Sequence, residues 1–347
     1  MFCIFEHFRL VLTVGKNGTQ NNPKTAEKLQ KRAVFSAVFT VIFGEDADMQ
    51  YSFTVLTPIY NRKEFLPALF DTLKNQTRRD FQWLVIDDGS SEDSRREIEE
   101  FSRETGIFSE YYYKENGGKH TALNYSHPYI KSDWVLIFDS DDTLTPDAAE
   151  TICSKISRYG NCPEIGILSF QCALCDGVPL VEFADADDTV SDHIEYRING
   201  RRPGDCCEVV RTEVLKKYPF PVYENERFLD ETHLWLGSAD EYKTVYISKV
   251  IYLAEYQSGG LTRQGLTMWV KNPLGKMHSQ IVGLNPRCCL SFRIKRAMLL
   301  IFYGKAAGKT LGEIRRLSGH PLFVGMCTLP GLALCLYWHR YLKDGKN

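Results

Sequence analysis

From residue 52 onward the chain repeats one pattern: a short apolar run, then a stretch with apolar residues at helical spacing. "FTVLT" (53–57), "WLVID" (83–87), "EYYYK" (110–114), "WVLIFD" (134–139) and "IGILSF" (165–170) read as strands. Between them, helices are predicted at 63–75, where Phe65, Leu66, Leu69 and Leu73 share a face and Pro67 falls in the first turn, then in "SSEDSRREIEEF", at 119–130 and at 146–158. Strands alternating with helices make an α/β fold: a mostly parallel, Rossmann-like sheet flanked by helices, expected here as five strands joined by crossovers.

In such sheets a ligand sits outside the carboxyl ends of the strands. The unusual polar residues fall there: Thr57, Asp87 with Asp88, Asn116 to Lys119, and Asp139 to Asp142. One carboxylate at a strand end can cap a helix, but four polar clusters at four successive strand ends imply a site. In "LIFDSDDTL" (136–144) three acids follow an apolar run within four positions. Carboxylates turned toward a common point cannot all ionise cheaply without a cation. Hard oxygen ligands suit Mg²⁺ or Mn²⁺, which commonly complete their shells with substrate phosphate.

The order and spacing of "TPIYNR" (57–62), "VIDDGSSED" (85–93), "NGGKHTALN" (116–124) and "FDSDD" (138–142) resemble the family 2 glycosyltransferases of GT-A fold, bacterial polysaccharide type, over about residues 52–256. That resemblance implies an enzyme moving a sugar, usually with inversion, from a nucleoside diphosphate sugar, expected to be a UDP-sugar, to a saccharide or lipid-linked acceptor hydroxyl. It implies that Thr57, Pro58 and Tyr60 line a nucleotide pocket, that Asp87 meets the base, and that Asp88 supports the loop. Asn116, Gly118 and Lys119 would lie beside nucleotide and sugar, Asp139 would hold ribose or metal, and Asp141 the metal. Family members carry a base in an acidic pair before an apolar helix; here the order is Asp230, Glu231, Thr232, and the flanking Phe and Leu-Trp align Glu231 with the family glutamate. Glu231 is the expected base, with Asp230 the alternative; either could instead cap the helix that follows.

Two other readings stay open. "DSDDT" also resembles the DxDxT nucleophile signature of haloacid dehalogenase-type phosphatases, although there it ends the first strand, whereas three strands precede it here. The altered acidic pair would also suit a catalytically inactive GT-A binding module. No P-loop, dinucleotide-binding glycine fingerprint or nucleic-acid motif is present, so no nucleic-acid partner is expected.

The 347 residues divide into an expected extension at 1–48, with Met49 as an expected native start, a glycosyltransferase domain at 49–260 (nucleotide half 49–175, acceptor half 176–260), and a basic helical region at 261–347. In the acceptor half, "EVV" (208–210), "TVYIS" and "VIYLAEY" read as strands, with helices near 212–218 and 228–236. Net charge is only −2, yet residues 269–347 carry thirteen Lys and Arg against Glu313 and Asp344, which is +11 and leaves −13 for the rest. With the uncharged "LFVGMCTLPGLALCLYW" (322–338), this suggests an anionic membrane surface as partner and a cytoplasmic, peripheral location at the inner face of the plasma membrane. A buried terminal hairpin or a membrane span are the alternatives. Eleven irregularly spaced cysteines argue for a reducing compartment, and the lone Cys172-x-x-Cys175 for buried thiols over zinc. His120 lies inside the nucleotide loop, whereas His193, His233 and His278 are dispersed; Arg201 and Arg202 are candidate phosphate contacts, and "YQSGGLTR" (256–263) is a candidate closing loop.

Overall fold

A computed structural model describes residues 51–183, 188–254 and 261–343. The expected extension at 1–48 and most of the closing loop at 256–263 lie outside them. Contacts divide the chain into Met1–Gln50 and Tyr51–Asn347, and only the second is described here.

The sheet begins with β1 (Thr54–Ile59), β2 (Gln82–Asp87), β3 (Ser109–Tyr113) and β4 (Trp134–Ile137), all parallel, in the order β3-β2-β1-β4. Its crossovers are α1 (Leu66–Lys74), entered through a 3₁₀ turn at Lys63–Phe65, then α2 (Arg95–Thr105) and α3 (Lys119–Ser126). Pro67 does fall in the first turn of α1, where its missing N–H costs no helical hydrogen bond. The short β5 (Thr143–Leu144) precedes α4 (Ala148–Tyr159) and the long β6 (Ile165–Leu174).

Beyond β4 the sheet departs from five successive crossovers. β8 (Cys206–Arg211) runs antiparallel between β4 and β6, so the acceptor half contributes an internal strand rather than an edge. β9 (Lys243–Ala254) lies parallel to β6 on its far side, with β5 and β7 (Thr189–Ser191) antiparallel to it. "TVYIS" and "VIYLAEY" are thus one strand, and its register with β6 slips where the bulge begins, between Phe170 and Gln171.

Strand alternation divides two cores. Phe53, Val55, Trp83 and Val85 face α1, α2 and α4, meeting Leu69, Phe101 and Ile152. Leu56, Leu84 and Ile86 face the other way, against Leu123 of α3, Leu215 of α5 (Thr212–Lys217) and Leu234 of α6 (Thr232–Ser238). Helices α7 (Leu261–Lys271), α8 (Pro273–Val282), α9 (Leu290–Ala306), α10 (Leu311–Leu317), α11 (Pro321–Met326) and α12 (Thr328–Lys343) close a third core around Leu300, Ile301 and Ile314. Gly331 lets α12 settle on α9, since a Cβ there would come within 2.7 Å of Ile301. Among the described residues no helix is long and apolar enough to cross a membrane.

Candidate active site

A cleft of about 840 Å³ opens at the carboxyl ends of β1, β2 and β4. Its walls take Pro58 and Tyr60 from the end of β1, Asp88 from β2, Asn116, Gly118 and Lys119 from the start of α3, and Asp139 to Asp142 from beyond β4. The acceptor half closes it with Glu208 of β8, Arg227, Asp230, Glu231 and Trp235.

Two proposed nucleotide contacts are placed elsewhere. Thr57 is fully buried and its hydroxyl accepts a hydrogen bond from Trp83 Nε1 at 3.1 Å. Asp87 is equally buried: Oδ1 accepts from the Ser90 amide at 2.7 Å and Oδ2 from the Tyr111 hydroxyl at 2.5 Å. Neither lines the cleft. The reason is strand parity: Thr57 shares the face of Phe53 and Val55, and Asp87 that of Trp83 and Val85, both turned into a core. Asp87 thus lies behind the cleft wall, and its neighbour Asp88 lines it.

Asp88 also does what was expected of it for the loop. Its carboxylate accepts from the amides of Gly117 at 3.0 Å and Gly118 at 2.6 Å and pairs with Lys114 at 2.5 Å. Gly118 stands at φ +95°, and a Cβ there would lie 2.0 Å from the Arg227 carbonyl oxygen, so only glycine lets the nucleotide loop touch the acceptor half. The buried Asn116 Oδ1 has no hydrogen-bond partner, which leaves an acceptor at this wall.

The crowded acids find their cations within the protein. Lys119 Nζ lies 2.8 Å from Asp139 and 3.0 Å from Glu231. Arg62 Nη1 lies 3.1 Å from Asp141, and Tyr252 donates to Asp142 at 2.5 Å. Burial disfavours the Lys119 charge, but the carboxylates of Asp139 and Glu231 outweigh it and hold its pKa above that of an ordinary lysine. Asp139 and Asp141 therefore share a cleft without sharing a partner. Among the described residues no three His, Cys, Asp or Glu side chains are grouped to hold an ion.

The two candidate bases are held differently. Asp230 pairs with Lys276 of α8 at 2.6 Å and accepts from Ser279 Oγ at 2.9 Å; against its burial, Lys276 keeps its carboxyl below the usual range. Glu231 is tied only to Lys119 among the ion pairs found. It also precedes α6 without its side chain capping that helix.

Glu208, which the sequence reading passed over inside "EVV", lines the same cleft. Burial raises its pKa to about 8, with Arg197 opposing and Asp205 and Glu231 adding to the rise. Arg197 is clamped over it by the loop that follows, donating to the carbonyls of Arg202 and Gly204 and to Cys206 Sγ. A polar residue midway along an apolar strand was the available signal.

The remaining candidates are dispersed. His120 is buried in α3 away from the cleft, and its burial lowers the pKa to about 4. His193 lines the cleft and is lowered by burial to about 3, while His233 and His278 hydrogen-bond each other at 2.9 Å. Arg202 donates to the Tyr196 carbonyl, and Arg201 is exposed. Cys172 is a buried free thiol and Cys175 an exposed one.

A mostly parallel sheet with a cleft at its strand ends, a glycine loop on one wall and carboxylates on both, defines an α/β protein of the class that takes ligands at that edge of the sheet. Residues 54–166 match the family described as Glycosyl transferase family 2, so that third of the chain is similar to the domain of that family. An uncharacterized glycosyltransferase of Mycoplasma pneumoniae is 33% identical over 94 residues, 26% of this chain and 31% of that protein. Glycosyltransferase GlyG of Streptococcus pneumoniae is 23% identical over 221 residues, 60% of this chain and 72% of its own. The crystal structure of S. aureus TarS 1–349 in complex with UDP-GlcNAc shares the fold, with a TM-score of 0.52 at 16% identity over 83% of this chain and 91% of that one. The chain thus spans under a third of the length of the Mycoplasma relative.

Proposed function

We propose that this protein transfers a sugar, with inversion, from a nucleoside diphosphate sugar to a saccharide or lipid-linked acceptor hydroxyl. The observation that carries the reading is the run Asp139–Lys119–Glu231: a cation from the nucleotide loop linking an acid beyond β4 to one on the acceptor half, all on one cleft. Inverting transfer needs a base on the face opposite the leaving group, and Glu231, contributed by the acceptor half, is the carboxylate we assign to it. Asp230, already committed to Lys276 and Ser279, is the poorer candidate.

Pro58, Tyr60, Asp88, Asn116 and Gly118 are proposed to enclose the nucleotide. UDP is the favoured carrier, since TarS holds UDP-GlcNAc in the same fold. Lys119, held between Asp139 and Glu231, would turn to the diphosphate when the donor binds, offset charge on the departing group and release Glu231 for the acceptor proton. Asp139 and Asp141 offer the hard oxygens that Mg²⁺ or Mn²⁺ requires, and with two carboxylates such an ion takes the rest of its shell from phosphate and water, so the residues fit a metal held jointly with the donor. When bound, it would act as a Lewis acid on the diphosphate. A peripheral position at the cytoplasmic membrane face completes the proposal for an acceptor carried on lipid.

The test is a panel of sugar nucleotides with Mn²⁺ or Mg²⁺, following nucleoside diphosphate release, in wild type and Glu231→Gln. Turnover on one donor, falling by roughly 10² to 10⁴ in the variant while nucleotide affinity stays within about twofold, is expected. Wild-type turnover in Glu231→Gln would remove that residue from the mechanism. Hydrolysis of p-nitrophenyl phosphate would instead favour the phosphatase reading of Asp139 and Asp141, and no nucleotide binding at all would favour the inactive module.

A further inference from the structure

Helices α11 and α12 pack one side against α9, through Val324, Cys327 and Leu332, and leave the other side bare. Leu322 is 84% exposed, Met326 74%, Leu329 80%, Leu336 69% and Tyr337 65%. Leu322 and Met326 are spaced by four on α11, and Leu329, Ala333 and Leu336 by four and three on α12, so each helix turns an exposed apolar row outward. Single exposed apolar residues are ordinary; a continuous row of large ones marks a surface that meets something apolar.

The surrounding helices are rich in cations. The Arg293 guanidinium lies 4.5 Å over the ring of Phe323 in α11, and Arg315 Nη2 donates to Thr328 Oγ1 at the start of α12 at 2.9 Å. Lys305 is near enough to α12 to act on the thiol of Cys335, and Lys295 and Arg316 are exposed on the neighbouring helices. Between Lys271 and Lys343 the one acidic residue is Glu313, whose carboxylate is taken up capping α10 with Thr310. Exposed apolar rows in a region so short of acids and rich in cations complement a surface that is apolar a little way in and negative outside.

We infer that the α11–α12 face docks on an anionic lipid bilayer, lying in the plane of the headgroups with Leu322, Met326, Leu329, Leu336 and Tyr337 dipping into the acyl boundary. At 16 residues α12 is about 24 Å long, shorter than the roughly 30 Å hydrocarbon layer, so it suits the interface rather than a span. The inference stands on this surface and not on the transferase chemistry, but it would bring the cleft to the plane where a lipid-linked acceptor resides.

The experiment is co-sedimentation of the full chain with vesicles of phosphatidylcholine alone and of phosphatidylcholine with phosphatidylglycerol. The expected result is binding to the anionic vesicles that weakens with salt, with little on neutral ones. The double variant Leu322→Asp/Leu329→Asp should lose about tenfold in vesicle affinity, and Lys305→Glu/Arg316→Glu should lose mainly the preference for phosphatidylglycerol. Unchanged circular dichroism and unchanged nucleotide binding would establish that both variants are folded. Wild type that stays in the supernatant with anionic vesicles would overturn the inference, as would variants that bind like wild type. So would light scattering showing that wild type is a dimer and the leucine variant a monomer while vesicles change nothing, since the stripe would then be covered by a second copy. Sugar-nucleotide turnover without vesicles reads the proposed reaction separately, so either conclusion can fail alone.

Discussion

Glu208→Gln should make the folded protein less sensitive to rising pH. Glu208 sits in the cleft wall with its pKa raised by burial to about 8 from an ordinary 4.5. A carboxyl whose pKa is higher folded than unfolded stabilises the native state fully below the unfolded value and loses that contribution as pH rises toward the folded one. Between about pH 4.5 and 8 the native chain therefore holds one proton that the unfolded chain has released, a slope near 1.4 kcal/mol per pH unit for a fully buried group. Because the folded group itself begins to ionise as pH nears 8, a mean slope of about 1 kcal/mol per unit is the better figure over this range. Urea unfolding at pH 5.5, 6.5 and 7.5 measures it: the stability of wild type relative to Glu208→Gln should fall by about 2 kcal/mol over those two units. Parallel curves for the two proteins would show that Glu208 is ionised throughout and that Arg197 dominates burial.

Two further outcomes follow from the site. Gly118→Ala forces a side chain at φ +95° against the Arg227 carbonyl and should destabilise the fold by about 3 kcal/mol while abolishing nucleotide binding, read by thermal melting and calorimetry. Asp141→Asn should weaken Mn²⁺-dependent binding of UDP by about tenfold while leaving metal-free binding nearly unchanged; an identical metal titration in both proteins would take Asp141 out of the ion site.

Much of this was legible in the sequence because it is local. The apolar runs of β1 and β2 lie next to the helices that cover them, and the acids of the cleft are contiguous at one strand end. What escaped was set by pairing at a distance or by parity. Nothing near Cys206–Arg211 says that it slides between β4 and β6, since a strand's partners are chosen by the whole sheet. Lys249 and the bulge made β9 look like two strands. That Thr57 and Asp87 turn inward was readable by counting in twos from Phe53 and Trp83. Arg62 and Lys119 were visible as residues of the loops, but that they, before any ion, neutralise Asp141 and Asp139 depends on side-chain geometry.

The position of β8 has an engineering consequence. Hydrogen-bonded on both edges, to β4 and to β6, it threads the portion that would select the acceptor through the middle of the portion that would hold the donor. Segments that hang from a sheet's margin can be exchanged between relatives like interchangeable heads; this one cannot be lifted out without parting two ladders. New acceptor preferences in this scaffold should therefore be sought by point changes along the cleft lip, and chimaeras joined near residue 176 should misfold more often than they switch substrates.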